Sequence, residues 1–194
     1  MKIVFKIIFV FLAVALLAPP ARAQSVYFST RDLLADFFKK SESVNYQVVS
    51  LTGGDRERVE KKLGYVVTKG KYTFFVARSG AHIDGYALID EQQGEHLPIT
   101  FAVKISPEGV VERQEIVAYR EPRGDEVRDE RFRNQFVGKC ARDPVAAGLD
   151  IVAVSGATIS SRAMAVGVKR ALVLFDELVK PTRLASGGRP AGSL

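Results

Sequence analysis

The sequence is poor in the residues that bind metals and form disulfides. Cys140 is its only cysteine, and His82 and His96 are its only histidines. One cysteine excludes a disulfide within the chain and any cysteine cluster for zinc or iron–sulfur. The two histidines lack the spacing of a ligand pair, so we predict no metal site. For Cys140, a small buried apolar residue and a reactive thiol both stay open.

The motifs of the common enzyme classes are also missing. The chain contains no nucleophile elbow, no Walker A sequence, no dinucleotide-binding glycine pattern and no Cys/His pairing. Charge of one sign is not concentrated either, because the stretches DRERVEKK and EPRGDEVRDERFR mix acids with bases. A nucleic-acid-binding protein would be expected to carry a dense basic stripe. We therefore predict no nucleic-acid partner.

The N terminus has the pattern of an export signal. Lys2 and Lys6 accompany an apolar run to Leu17, and two prolines and Ala21-Arg22-Ala23 follow. This order predicts a signal peptide over residues 1–23, cleaved after Ala23, and a periplasmic protein with no membrane span after cleavage. A single membrane anchor is the alternative, although the apolar core is short for a bilayer span.

Removal of this segment changes the charge and leaves one domain's length of chain. It takes away three basic residues and no acidic ones, so the count of Lys and Arg falls from 28 to 25 against 22 Asp and Glu. About 171 residues remain, enough to bury one sizeable core. The net charge of +6 is therefore reduced to that of a mildly basic remainder.

Hydrophobic periodicity predicts an α+β fold, with a curved antiparallel sheet packed against helices. Helical spacing appears in STRDLLADFFKKSE and DRERVEKKLGY, which predicts an N-terminal helical segment over residues 24–64. Four β-rich stretches separated by turns then predict an antiparallel meander with one buried face. These stretches cover residues 71–78, 82–90, 97–105 and 110–119. The main domain is predicted over 65–180, and the small, polar tail 181–194 is predicted to be disordered.

The C-terminal third predicts further helices. DERFRNQFVGK (129–139) has Phe132 and Phe136 one turn apart. DIVAV (150–154) is typical of a short buried strand, and the stretch from Thr158 to Lys180 of a long helix with apolar residues at helical spacing. The string SGAT lies at the junction between the two.

This junction has two interpretations from its residues alone. Ser155 is a candidate helix cap, and Gly156 and Ala157 keep the approach to the helix unobstructed. Thr158 is then a first-turn hydroxyl beside free backbone N–H groups and the positive end of the helix dipole, which favours a phosphate. A plain N-cap is the other interpretation, since Ser and Thr commonly occupy that position.

The string DIVAVSGATISSRA resembles the flavinylation motif of the FMN-binding domain family, whose members include flavin-carrying components of the sodium-translocating NADH:quinone reductase and of the related Rnf complex. In that family FMN is joined to the threonine of SGAT by a phosphoester bond, and a flavin transferase makes the bond. The matching residue is Thr158. Segments between residues 65 and 178 are similar, in order and spacing, to stand-alone exported members.

The resemblance implies a cofactor site around this threonine. Glu121-Pro122-Arg123-Gly124 falls where the family carries a loop near the isoalloxazine ring, and Lys139 or Arg162 would stabilise the remaining phosphate charge. The full set of implied cofactor-binding residues is Thr158, Ser155, Gly156, Ala157, Ile159, Ser160, Gly85, Tyr86, Thr100, Glu121, Gly124 and Lys139. No catalytic residue is assigned.

Two positions depart from the family pattern. Val152 stands where a second aspartate is usual, and Glu95 stands where a lysine is common. We expect Val152 to extend the strand and pack against the sheet or helix, and to slow covalent attachment because it cannot act as a carboxylate.

Three functions follow from these features. The first is an exported electron carrier with FMN on Thr158, loaded by a flavin transferase and served by an unknown periplasmic or membrane redox partner. The second is a flavin-dependent reductase of a small substrate, with Tyr86, His96 or Glu121 as proton donor. The third is a non-redox binding module that lost the cofactor.

Overall fold

A computed structural model describes residues 25–180, so the predicted signal peptide and the predicted tail lie outside the described residues. The strands are β1 (Ser25–Val26), β2 (Ser43–Ser50), β3 (Lys71–Ser79), β4 (His82–Gln93), β5 (Pro98–Ile105) and β6 (Val111–Tyr119). The α-helices are α1 (Thr30–Phe37), α2 (Gly53–Leu63), α3 (Glu130–Asn134) and α4 (Thr158–Leu178), with a 3₁₀ turn at Asp125–Arg128. The predicted α+β class is confirmed.

The strands form one antiparallel sheet of six strands in the order β1-β6-β5-β4-β3-β2. Consecutive pairing from β3 to β6 confirms the predicted meander, and each of its four strands lies within a few residues of the predicted bounds. Alternating β-branched and aromatic residues account for this agreement, because they suit a pleated surface with buried neighbours.

The N-terminal segment differs from the prediction of a helical segment over 24–64. Both predicted helices are present, and between them lies β2, paired along its whole length with β3 from Ser43↔Arg78 to Ser50↔Lys71. The preceding strand β1 pairs with the end of β6 through Ser25↔Tyr119. The segment therefore supplies both edges of the sheet as well as two helices.

Both faces of the sheet carry apolar clusters, whereas the sequence predicted one. The larger cluster joins the sheet to α4 and includes Phe74, Phe101 and Phe175. The smaller joins α1 to the opposite face, where Leu33 and Phe37 pack near small alanines of the strands. Helix α1 therefore covers the middle of the face that we expected to be open.

Helix α4 crosses the sheet closely enough to require a glycine. A Cβ at Gly167 would lie 2.7 Å from the Phe101 ring, so the missing side chain lets the helix lie directly on that ring. Near the other end of α4, the ring of Phe175 lies 4.8 Å from that of Tyr86. Lys62 of α2 pairs there with Asp176 at 2.9 Å. The helix is thus fixed at several points along its length.

Within residues 25–180, no helix is long and apolar enough to cross a membrane. The same residues contain no group of three or more His, Cys, Asp or Glu side chains suited to a metal ion.

Candidate functional site

The SGAT stretch forms a tight turn that leads into α4. The Ala157 N–H donates to the Val154 carbonyl at 3.0 Å, and Gly156 has a φ of 82°, a conformation that favours glycine. The helix begins at Thr158, with Ala157 as N-cap and no side chain bonded to the cap. The expectation that Ser155 caps the helix is therefore wrong: Ser155 is exposed in the turn, because the turn sets the cap two residues later.

The hydroxyl groups of the first turn differ sharply in their environment. Ser161 is buried, accepts from the Val154 N–H at 3.0 Å and donates to the Ala157 carbonyl at 2.8 Å. Ser160 is buried with its Oγ 2.7 Å from the Tyr119 hydroxyl. The Thr158 side chain is exposed and has no hydrogen bond within residues 25–180. Among the hydroxyl groups in the first turn of α4, Thr158 is therefore the one that is open to modification.

Thr158 opens into a cleft of about 260 Å³. Arg162, one helical turn further on, lines the same cleft and makes no ion pair or hydrogen bond within the described part of the chain. The first turn of α4 also contains no acidic residue, and its backbone N–H groups lack a side-chain cap. The cleft is lined by Ala147, Gly148, Leu149, Ile151, Val152, Ala153, Thr158 and Arg162. An unopposed cation and a free helix N terminus at one place favour an anion.

The segment before the turn is not the buried strand that the apolar run DIVAV predicted. Only Ile151 makes a bridge, to Ala147, and it is buried. The Gln135 side chain holds the next residue from both sides, since it accepts from the Val152 N–H at 2.7 Å and donates to the Val152 carbonyl at 3.1 Å. These bonds turn the Val152 side chain outward, where it is 75% exposed. The expectation that Val152 packs against the sheet or helix is therefore wrong.

Lys139 and Asp150 form an ion pair at 2.9 Å behind the cleft. Burial of Asp150 opposes its ionisation, but hydrogen bonds from the Ala146 and Val145 N–H groups and the Lys139 ammonium outweigh burial and lower its pKa. Asp150 therefore organises the loop behind the cleft. The resemblance assigned Lys139 to the phosphate, but Lys139 already has a carboxylate partner and does not line the cleft. Arg162 is therefore the cation beside Thr158.

The loop after β6 reaches the first turn of α4. Gly124 has a φ of 89°, and a Cβ there would lie 2.6 Å from the Ser160 Oγ. Glu121 turns away from the helix and accepts from the His96 and Leu97 N–H groups at 2.6 and 2.9 Å. The structure thus brings Gly124 to the predicted site, whereas the Glu121 carboxylate holds the loop between β4 and β5.

Ile159 follows Thr158 in α4 and is 46% exposed, whereas the three predicted residues on the sheet do not meet at the cleft. Thr100 bonds to Glu91 and Arg120 on the sheet. Gly85 lies against Phe38 beneath α1. Tyr86 is buried against Phe175, which follows Thr158 by 17 residues, or about 25 Å of helix at 1.5 Å per residue. Tyr86 is therefore far from any group attached to Thr158.

Sequence reasoning missed two side chains that shape the site. Gln135 holds the backbone of Val152, and Tyr119 joins β6 to Ser160. Neither stands in a motif, and both contacts join residues that are distant in the chain. Leu149, which is 80% exposed beside the cleft, was also missed. An apolar residue directly after Gly148, outside every predicted helix and strand, was the one available signal.

Comparison with known proteins gives a family and a fold. Residues 94–173 match the family model of the FMN-binding domain. The crystal structure of Shewanella oneidensis NqrC superposes with a TM-score of 0.56, at 16% sequence identity, over 83% of this chain and 92% of that chain. No curated protein matches. The chain therefore carries, over residues 94–173, a domain of the FMN-binding family, in a fold that resembles NqrC.

Proposed function

We propose that this FMN-binding protein is an exported electron carrier whose FMN is joined to Thr158 by a phosphoester bond. The observation that carries the proposal is the exposed Thr158 hydroxyl at an uncapped helix N terminus, beside the unpaired Arg162 of the described chain. The neighbouring hydroxyls of Ser160 and Ser161 are buried and hydrogen-bonded, so they do not compete as acceptors.

The residues present suit the chemistry of this cofactor. A phosphodiester keeps one negative charge, which the free N–H groups of α4 and the Arg162 guanidinium would stabilise. Leu149 and Val152 supply exposed apolar surface at the mouth of the cleft, suited to an aromatic ring system. When bound, FMN would supply the electron-transfer chemistry, and the chain would supply position and electrostatics.

The cleft favours a carrier over a reductase with its own substrate. Among the described residues, no acid, histidine or tyrosine lines it, so these residues offer no proton donor to a substrate. Of the three donors considered from the sequence, Tyr86 is buried elsewhere, Glu121 is engaged with backbone N–H groups, and His96 does not line the cleft.

Export and partners complete the proposal. The signal-peptide pattern ends at Ala23, and the first strand within residues 25–180 begins at Ser25. A periplasmic location would require a flavin transferase outside the cytoplasm and a redox partner there or in the membrane. The covalent bond would retain a cofactor that cannot easily be replaced in that compartment.

Co-expression with a flavin transferase tests the attachment. Intact-mass measurement should show one FMN residue added to the parent protein, and fragmentation should place it on Thr158. Thr158→Ala should abolish the adduct, whereas Thr158→Ser should keep part of it because the hydroxyl remains. Arg162→Ala should slow the labelling.

Thr68→Ala is the matched control, because it removes an exposed threonine hydroxyl that does not line the cleft and should label like the parent. An adduct that persists in Thr158→Ala would contradict the choice of acceptor. Absence of any flavin from parent protein, where NqrC is labelled in parallel, would favour a binding module without the cofactor.

A further inference from the structure

Strand β2 leaves one edge of the sheet free within residues 25–180. It is the last strand of the sheet order, and all of its eight residues pair on one side with β3. Natural edge strands are commonly protected by charges, prolines or bulges. The β2 sequence SVNYQVVS contains none of these residues, and its register with β3 has no shift.

The exposed side chains of β2 form an apolar row. Val44, Tyr46 and Val48 are 38%, 52% and 52% exposed, and their spacing of two places them on one face of the sheet. Tyr46 pairs with Phe75 of β3, which is itself only partly buried. The row therefore continues apolar surface of the sheet out to its open edge, as expected of a surface that another chain covers.

Residues 44–48 show the same order of residue types when they are read in either direction along the strand. Residues 44–48 read Val-Asn-Tyr-Gln-Val, with valines outside, amides next and a tyrosine at the centre. If two β2 strands pair antiparallel about Tyr46, Val44 lies opposite Val48 of the other copy, and Asn45 lies opposite Gln47. Apolar residues then meet apolar residues and amides meet amides, with no like charges opposed.

We propose that a second copy of this chain pairs with β2, antiparallel and centred on Tyr46, so that two sheets become one. Such a pairing is symmetric, as most homodimer contacts are. It is independent of the flavin, because β6, whose Tyr119 contacts Ser160 in the first turn of α4, lies toward the opposite edge of the sheet. Five strand spacings of about 4.8 Å separate β2 from β1, so both clefts would stay open to partners.

Cysteine cross-linking of the mature chain tests the pairing and its register, in a Cys140→Ala background that removes the native thiol. Tyr46→Cys should form a disulfide-linked dimer under mild oxidation, because residues directly opposite each other have Cα atoms about 4.5–5.5 Å apart, within disulfide range. Val44→Cys should not, because its two copies are offset by four residues, or about 13 Å. An equimolar mixture of Val44→Cys and Val48→Cys should cross-link.

Sedimentation gives an independent measure. Val48→Lys should weaken dimerisation by about tenfold or more, since it places a charge opposite the partner's Val44. Adding Val44→Glu should restore dimerisation, because the two new charges meet only across the interface. A monomeric parent protein, or equal cross-linking of Tyr46→Cys and Val44→Cys, would overturn the proposal.

Discussion

The hydroxyl of Tyr119 lies 2.7 Å from the Oγ of Ser160, which joins the last residue of β6 to the first turn of α4. Tyr119 also donates to the Arg123 carbonyl at 2.5 Å. Tyr119→Phe should lower the free energy of unfolding by about 1–3 kcal/mol, because it leaves the buried Ser160 hydroxyl without its partner. Urea denaturation measures the change.

A double-mutant cycle with Ser160→Ala checks the cause. If the two hydroxyls act through each other, the double variant should lose less stability than the sum of the single variants. Strictly additive losses would show that the contact contributes nothing to stability.

Alkaline pH should weaken the fold through its buried tyrosines. Burial raises the pKa of Tyr119 and of Tyr72 to about 12, whereas an unfolded tyrosine releases its proton near pH 10. The native protein therefore holds more protons between about pH 10 and 12, and its stability is complete below pH 10 and falls through that window. Tyr119→Phe should reduce the slope of stability against pH, measured by urea midpoints.

Gly124→Ala should be much more destabilising than Gly148→Ala. The two glycines have φ values of 89° and 90°, so both substitutions carry a similar backbone strain of roughly 1–2 kcal/mol. A Cβ at Gly124 would also lie 2.6 Å from the Ser160 Oγ and 2.7 Å from the Tyr119 hydroxyl, whereas one at Gly148 would meet nothing within 4 Å. The crowding should add about 1–3 kcal/mol. Equal losses of unfolding free energy for the two variants, measured by chemical denaturation, would mean that the loop of Gly124 moves freely away from α4.

Val152→Asp should raise the rate of flavin attachment with little change in stability. The side chain is 75% exposed and lines the same cleft as Thr158, so a carboxylate there would face an incoming transferase. Substitutions at exposed positions usually change the free energy of unfolding by less than about 0.5 kcal/mol. The labelled fraction at fixed enzyme and time measures the first effect, and the melting temperature measures the second. Val152→Asn is the control, because its side chain has nearly the same shape as that of Asp but no charge. Unchanged labelling in Val152→Asp would make the departure from the family pattern neutral.

The sequence predicted those parts of the fold that depend on local pattern. Strands β3 to β6 alternate side chains between two packed faces, and α4 repeats apolar residues at helical spacing. Each of these periodicities can be recognised in a short stretch of sequence. The edge strand β2 has the alternation of a strand over Val44–Val48, but it was missed because it lies between two helical stretches that were predicted as one helical segment. The prediction for residues 150–154 was wrong because their hydrophobicity resembles that of a buried strand. Their conformation is instead set by Gln135, which is distant in the sequence.

The same distinction applies to the candidate site. Thr158 was predictable because it belongs to a sequence motif, and Gly156 because a tight turn favours glycine. The Tyr119–Ser160 contact spans 41 residues, and the Lys139–Asp150 ion pair depends on the loop that folds between its members. Such contacts follow from tertiary packing, which no single stretch of sequence contains.

One hydrogen bond, from the Ala157 N–H to the Val154 carbonyl, closes the turn at Val154–Ala157, and Ser161 bonds to both the first and the last residue of the turn. Thr158, the proposed acceptor, therefore follows a turn that is already fully formed in the protein without a cofactor. Many modifying enzymes act on extended peptides, but a transferase meeting this surface would bind a rigid, curved epitope. A synthetic SGATISS peptide should accordingly be a poor acceptor, and folding should precede cofactor loading in the life of the chain.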